Sequence, residues 1–284
     1  MRSPIGVFDS GVGGLSVLQA LRAELPLERF VYLADSGHAP YGERGDAFVA
    51  ARTHAITQHL CAAHGIQALV VACNTATAAA IDALRQHHPD LPIVGVEPAL
   101  KPAAGLTHTG RIGVMATRGT LGSGRFAQLQ AAQPAHIEWV LQPCDGLARA
   151  IEHRTTDPAA RLEVQALCAR YTQAMGRFGT GAGEIDTLVL GCTHYVFARD
   201  ELRALLGPDV RMIDTGEPVA RQTRRLLDSS GRLATTGDAS GDTADSVRLL
   251  TTGDLAALQA AAAQWLGLPP TACARVALPT ASID

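Results

Sequence analysis

The chain has 284 residues, 47% of them hydrophobic, and a formal net charge of −3 from 24 Lys plus Arg against 27 Asp plus Glu. That length can bury one large α/β core or two of ordinary size, and the scattered arginines form no basic stripe of the kind that binds nucleic acid or a membrane surface. No apolar run reaches the roughly 18 residues of a transmembrane helix, and Met-Arg-Ser-Pro leads into a strand with no signal peptide, so the expectation is a cytoplasmic globular protein.

Six cysteines without a Cys-x-x-Cys pair are expected to stay reduced. Lys101 is the only lysine, so a Gly-Lys-Ser/Thr phosphate loop is absent and pyridoxal phosphate would have one poorly placed Schiff-base candidate.

Short apolar runs at 4–9, 29–34, 67–72, 92–96, 111–116, 136–141, 186–191 and 209–213 predict strands, most of them separated by helical patterns. The first run ends in Asp9-Ser10-Gly11-Val12-Gly13-Gly14, ahead of a helix over 13–25 with Leu15, Leu18, Leu21 and Leu25 on one face. The glycine loop reads as a tight βα turn or an anion loop. Gly11-x-Gly13-x-x-Ser16, with Asp35 closing the next strand, also approximates a dinucleotide fingerprint. Ser16 in place of the third glycine and Asp9 beside a pyrophosphate count against that reading.

Pro40-Tyr41-Gly42 reads as a turn, with ligand binding as the alternative. Cys73 follows Leu69-Val-Val-Ala72 and precedes Asn74-Thr75-Ala76, at a strand tip before a helix. Pro92, Pro98 and Pro102 mark a crossover into the second half, and a return crossover is expected near 207–216. Glu152 closes the stretch from Cys144. By local sequence it is a surface helix end, with a reach toward His194 as the other option. Asp157-Pro158 opens a helix over 157–178 with the stripe Leu162, Val164, Leu167, Tyr171, Met175 and Phe178. Cys192 follows Leu188-Val-Leu-Gly191 and precedes Thr193-His194-Tyr195. Residues 229–245 read as a loop, and 246–284 add a strand-like run and an Ala-rich helix over 254–266.

The two cysteine segments look like copies of one element, and Ile5-Gly-Val-Phe-Asp-Ser-Gly11 is echoed by Ile112-Gly-Val-Met-Ala-Thr-Arg118. The expectation is therefore α/β: two pseudo-symmetric doubly wound domains with mostly parallel sheets and the active site in the cleft between them. The first domain comprises 1–97 plus 210–284 and the second 98–209. Helix-start amides beside each cysteine favour a thiolate and an anionic ligand, against the bland reading of buried structural thiols. His194 is close enough to Cys192 to act as acid or base. Cys-x-His without a second ligand pair falls short of a zinc site, and Gly-x-Ser-x-Gly is absent.

Phe8-Asp-Ser-Gly-Val-Gly-Gly14, Asp35 with Pro40-Tyr-Gly42, Val71-Ala-Cys-Asn-Thr-Ala76, Ala116-Thr-Arg-Gly-Thr120 and Gly191-Cys-Thr-His-Tyr195 occur in this order. Over residues 5 to about 228 the chain resembles the glutamate racemases, a cofactor-independent group within the aspartate/glutamate racemase superfamily. The resemblance implies interconversion of L- and D-glutamate without cofactor or metal by two cysteines on opposite faces of the α-carbon. The residue matching Cys73 deprotonates the D-enantiomer and that matching Cys192 the L-enantiomer. It further implies Asp9, His194 and Glu152 as assisting acid/base groups. Asp9, Ser10, Pro40, Tyr41, Gly42, Asn74, Thr75, Thr193 and His194 would contact substrate, in a homodimer supplying D-glutamate for peptidoglycan. Val196-Phe197 stands where many relatives have proline and leucine. Rival readings are an aspartate or hydantoin racemase, a malonate-type decarboxylase needing one cysteine, and a non-catalytic amino-acid sensor on the same fold.

Overall fold

The computed structural model describes residues 3–157, 159–235 and 246–278. In chain order the chain runs β1 (Ile5–Asp9), α1 (Leu15–Glu24), β2 (Phe30–Ala34), α2 (Asp46–His64), β3 (Ala68–Val71), α3 (Asn74–His87) and β4 (Ile93–Gly95). It continues through α4 (Leu100–Leu106), β5 (Arg111–Ala116), α5 (Arg118–Leu121), α6 (Gly124–Ala131), β6 (Glu138–Pro143), α7 (Leu147–His153), α8 (Ala160–Met175), β7 (Thr187–Gly191), α9 (Arg199–Leu206) and β8 (Arg211–Ile213). It closes with α10 (Gly216–Ser229), β9 (Val247–Thr251), α11 (Leu255–Leu266) and β10 (Cys273–Arg275). Met1–Val96 with Gly216–Asp284 form one compact unit and Glu97–Thr215 the other.

In the first unit the strands stand in the order β10-β9-β2-β1-β3-β4, all parallel. β1 is buried along its whole length, with Ile5 level with Phe30 on one side and Ala68 on the other. A strand covered on both faces reads as a continuous apolar run, which is why Ile5-Gly-Val-Phe8 does not alternate. The chain goes from β1 to β2 on one side and then to β3 on the other, so a topological switch point lies at the carboxyl ends of β1 and β3.

Leu15, Leu18, Leu21 and Leu25 of the α1 stripe are all exposed by 2% or less, where α1 packs against α10 and α11. Burial of each stabilises the fold by about 1.5–3 kcal/mol. Gly14 precedes this helix, and a Cβ there would lie 2.7 Å from Asp9 Cβ and 3.0 Å from the Tyr32 hydroxyl. The loop can turn this tightly because residue 14 has no side chain.

Asp35, fully buried just past β2, accepts Nε and Nη2 of Arg52 at 3.0 and 2.9 Å, the Tyr41 hydroxyl at 2.5 Å and Thr252 Oγ1 at 2.7 Å. Arg52 sits on the buried stripe of α2 with Val49, Ile56 and Leu60, a charge on an apolar face that requires such a partner. This pair ties the turn containing the cis peptide Ala39-Pro40 to both α2 and the end of β9. Removing either ion would strand its partner, at a cost of about 3–5 kcal/mol.

The second unit has the parallel order β6-β5-β7-β8, with Ile112 of β5 level with Trp139 and Thr187. Here β5 takes the place of β1, β6 of β2, β7 of β3 and β8 of β4, so the duplicated sequence produces a duplicated topology with its own switch point at the ends of β5 and β7. Asp186 anchors the entry to the sheet, accepting Thr107 Oγ1 at 2.7 Å and the His108 and Thr109 amides at 2.6 and 3.0 Å.

Two expectations need correction. β6 runs two residues later than its apolar run, ending at Pro143 on the sheet edge. α8 spans Ala160–Met175 and buries Val164, Cys168, Tyr171 and Met175, whereas Leu162 is 71% exposed and Phe178 lies beyond the helix end. Asp157 Oδ1 accepts the Ala159 amide at 2.9 Å, but the expected first-turn Pro158 lies outside the described residues. Of the expected loop over 229–245, residues 236–245 also lie outside them.

Candidate active site

At the first switch point the backbone leaves β3 through Ala72 and reaches Cys73 in extended conformation, as the N-cap residue of α3. The sulfur accepts the Ala76 N–H at 3.4 Å, and the Sγ–H donates to Ser10 Oγ at 3.6 Å. A thiol capping a 14-residue helix faces the positive end of its dipole and its unsatisfied amides, which favours the thiolate. Ser10 follows Asp9, whose Oδ1 accepts the Ser10 amide at 2.8 Å and whose Oδ2 accepts the Gly14 amide at 2.6 Å. The carboxylate therefore shapes the glycine loop beside the cysteine.

Asn74 and Thr75, both 6% exposed, begin α3 beside Cys73. Neither the amide oxygen nor the amide nitrogen of Asn74 has a hydrogen-bond partner. A buried amide left unpaired costs about 1–3 kcal/mol, so this side chain is best explained by a polar ligand group that completes it. Pro40, Tyr41 and Gly42 follow β2 at the same edge of the sheet, but the Tyr41 phenol is already donated to Asp35. Burial, then the charge of Asp35, hold that hydroxyl far above its ordinary range.

At the second switch point Cys192 follows β7, also in extended conformation, and opens a 3-10 segment, Thr193–Ala198, that passes into α9. No side-chain cap forms here, and the helix start expected after Cys192 is this short 3-10 segment, not a long α-helix. Cys192 Sγ instead lies 3.6 Å from His194 Nδ1, and His194 Nε2 lies 2.7 Å from Glu152 Oε1. His194 is 5% exposed. Burial opposes its charge, yet the hydrogen bonds and charges of Cys192 and Glu152 outweigh that penalty and raise the imidazole well above its usual value. With Nε2–H donated to the carboxylate, Nδ1 faces the Cys192 sulfur, placed to exchange a proton with it.

Glu152 on α7 is thus not the surface helix end that its local sequence favours. Thr193 is 5% exposed next to Cys192. Thr117, matching Ser10 in the duplication, caps α5 by accepting the Thr120 amide at 3.1 Å. The other cysteines lack such surroundings: burial pushes Cys168 up to about 12 and Cys144 well up, and raises Cys61 and Cys273. They remain thiols at neutral pH. Asp35 is saturated by Arg52, Tyr41 and Thr252, so it is not available to a ribose and the dinucleotide reading loses its acidic residue. Among the described residues no cluster of three or more His, Cys, Asp and Glu side chains could hold a metal ion, and no helix is long and apolar enough to cross a membrane.

Residues 14–223 match the Asp/Glu/hydantoin racemase family. The glutamate racemase of Ectopseudomonas mendocina is 46% identical over 266 residues, covering 94% of this chain and 95% of its own. That of Pseudomonas syringae pv. tomato is 49% identical over 232 residues, covering 82% and 81%. Among solved structures, glutamate racemase RacE1 of Bacillus anthracis superposes with a TM-score of 0.82 at 32% identity, covering 98% of both chains. The Escherichia coli glutamate racemase, in complex with L-glutamate and the activator UDP-MurNAc-Ala, gives 0.83 at 29% identity, covering 99% of this chain and 100% of its own.

Proposed function

From the premise that the chain belongs to the Asp/Glu/hydantoin racemase family and is a racemase, we propose that it interconverts L- and D-glutamate with Cys73 and Cys192 as its two bases. The observation that carries this reading is the placement of one cysteine at the carboxyl end of the equivalent strand in each duplicated unit, β3 and β7. Neither copy of a structural thiol would need a His–Glu relay, and Cys192 has one.

In the L-to-D direction the Cys192 thiolate removes the α-proton and the Cys73 thiol delivers its own to the other face of the same carbon. The bond pair left on the α-carbon becomes the new C–H bond, Cys192 ends as the thiol and Cys73 as the thiolate. The D-to-L direction reverses each step. The supply of thiolate is the smaller obstacle: from a reference pKa of about 8.5, a reduction to about 7 contributes roughly 2 kcal/mol. The α-proton of an amino acid is very weakly acidic, so most of the barrier reduction has to come from positioning and from fixed dipoles around the developing carbanion. The α3 amides and the unpaired Asn74 amide suit that task, with Ser10, Thr75 and Thr193 as further contacts to the substrate's charged groups. His194 holds or releases the proton of Cys192, Glu152 supports its charge, and Asp9 keeps the loop amides in place.

The reaction draws on no cofactor, and in the same reading the enzyme works in the cytoplasm as a homodimer whose D-glutamate enters peptidoglycan. Incubation of the purified protein with L-glutamate and, separately, D-glutamate in D2O tests the reading by NMR of the α-proton and chiral chromatography. Exchange with inversion from both enantiomers is expected. A folded protein that exchanges neither, but exchanges aspartate or a hydantoin, would transfer the chemistry to that substrate, and glutamate binding without exchange would make the chain a sensor.

A further inference from the structure

We propose that Arg154 is a positioning residue for His194, because its guanidinium fastens the 3-10 segment that carries His194 onto the helix that carries Glu152. The inference rests on the reading of His194 as the proton-handling partner of Cys192. Arg154 lies at the end of α7, two residues beyond Glu152. Its Nη1 donates to Glu201 Oε1 of α9 at 2.6 Å, and its Nη2 donates to the Phe197 carbonyl at 2.5 Å. Phe197 belongs to the same short segment as His194, Thr193–Ala198. One side chain therefore joins α7, α9 and the segment between Cys192 and α9, and the bond that this fixation sets is His194 Nε2 to Glu152 Oε1 at 2.7 Å.

Two features argue that the cluster serves register more than stability. The Arg154 and Glu201 side chains are only 12% and 9% exposed, and a buried ion pair is often no more stabilising than apolar residues of the same size, whereas fixing register is its best attested use. Arg154 Nε is buried without a partner, so the guanidinium forgoes one bond in the orientation that keeps the other two. A planar fork can serve two acceptors in set directions, which a lysine ammonium on a flexible stem does not reproduce. The grip on residue 197 is through a backbone carbonyl.

Among the groups that face His194 are the Cys192 thiol at the end of β7 and Glu152 from α7, so a change in their placement is read directly from the imidazole. The test follows the His194 ring by NMR titration in the full-length protein, with racemisation and thermal unfolding measured alongside. Two variants are compared: Arg154→Lys, and Arg154→Met combined with Glu201→Met, which removes both charges and leaves apolar stems. The expected result is a His194 titration displaced toward the ordinary histidine range, with kcat lowered by ~10-fold or more and KM changed by less than about twofold. Near-wild-type melting of the double variant would show that the loss is one of placement and not of fold. A His194 titration unchanged in both variants overturns the proposal, whatever the activity, and if the double variant does not fold, Arg154→Lys decides by the same titration. Failure of the underlying reading looks different: the wild-type protein exchanges no α-proton of glutamate while the titration still moves in the variants.

Discussion

Cys73 and Cys192 end equivalent strands at equivalent switch points, yet the side chains around them differ in kind. Cys73 is served by neutral groups at the head of a 14-residue helix: its sulfur accepts the Ala76 amide and its thiol donates to the Ser10 hydroxyl. Cys192 opens a six-residue 3-10 segment and leans on His194, which is backed by Glu152. Residue for residue, Asn74-Thr75 in one copy corresponds to Thr193-His194 in the other. The two units share the strand end that delivers a thiol, but one surrounds it with a fixed dipole and the other with a titrating relay. A fixed dipole stabilises the anion without taking its proton, while the relay can do both.

The largest expected effect tests whether the two sites are equal partners. Cys73→Ser and Cys192→Ser should each lower kcat/KM by ~10³-fold or more in both directions, since a serine hydroxyl is too weakly acidic to replace the thiolate. Steady-state kinetics with each enantiomer checks this. If one variant keeps most of its activity, the symmetric scheme is lost and a one-cysteine reaction takes its place.

Next in size is the contrast between the relay and the loop carboxylate. His194→Asn removes the group that handles the Cys192 proton, and a loss of ~10²-fold in kcat is expected, within the usual range for a general acid/base. Asp9→Asn acts through structure as well: its new amide must turn an N–H toward either the Ser10 or the Gly14 donor, both now bound to carboxylate oxygen. A loss of about 1–3 kcal/mol of stability should accompany that change, and denaturant unfolding of the two variants separates the cases.

The strand tips, the glycine loop and both cysteines were legible in the chain because each announces itself locally, as an apolar run followed by small or polar residues. The α8 stripe was legible only in part: Val164, Tyr171 and Met175 are buried as expected, but Leu162 weighs as heavily as any core leucine in a periodicity count. The helix phase is set by contact along Val164, Cys168, Tyr171 and Met175, which turns residue 162 outward. Glu152 was legible only through the resemblance and as the second option of its local sequence: its partner lies 42 positions away, and nothing near it in sequence distinguishes a solvated helix end from one that meets a histidine. Arg52 did leave a signal, a charge on the stripe of Val49, Ile56 and Leu60, and a search for charged residues on apolar helix faces would have found the Asp35 pair.

Asn74 offers a sharper probe of the Cys73 side. Its buried amide has no partner, so Asn74→Ala removes an unpaid desolvation from the free enzyme and the contact from the complex. KM should rise by ~10-fold, the scale of a hydrogen bond to a charged ligand group, while the melting temperature stays level or increases. A fall in stability with KM unchanged would mean that the amide has a structural role in the free protein.

The smallest effect concerns the support that Glu152 gives His194. An imidazole held above its ordinary value stabilises the fold in its protonated form; that contribution is complete below the unfolded pKa of about 6.5 and is lost as pH rises through the raised folded value. Glu152→Gln keeps an acceptor at the same place and removes the charge, so the folded value should fall toward the unfolded one. The stability difference between wild type and variant is then greatest below about pH 6.5 and shrinks as pH rises through the raised folded value, and kcat should drop only a few-fold because Cys192 keeps its histidine. Chemical denaturation across that range measures the difference. A gap that does not change with pH would assign Glu152 to packing and leave His194 to work alone, bringing the Cys192 site closer in kind to that of Cys73.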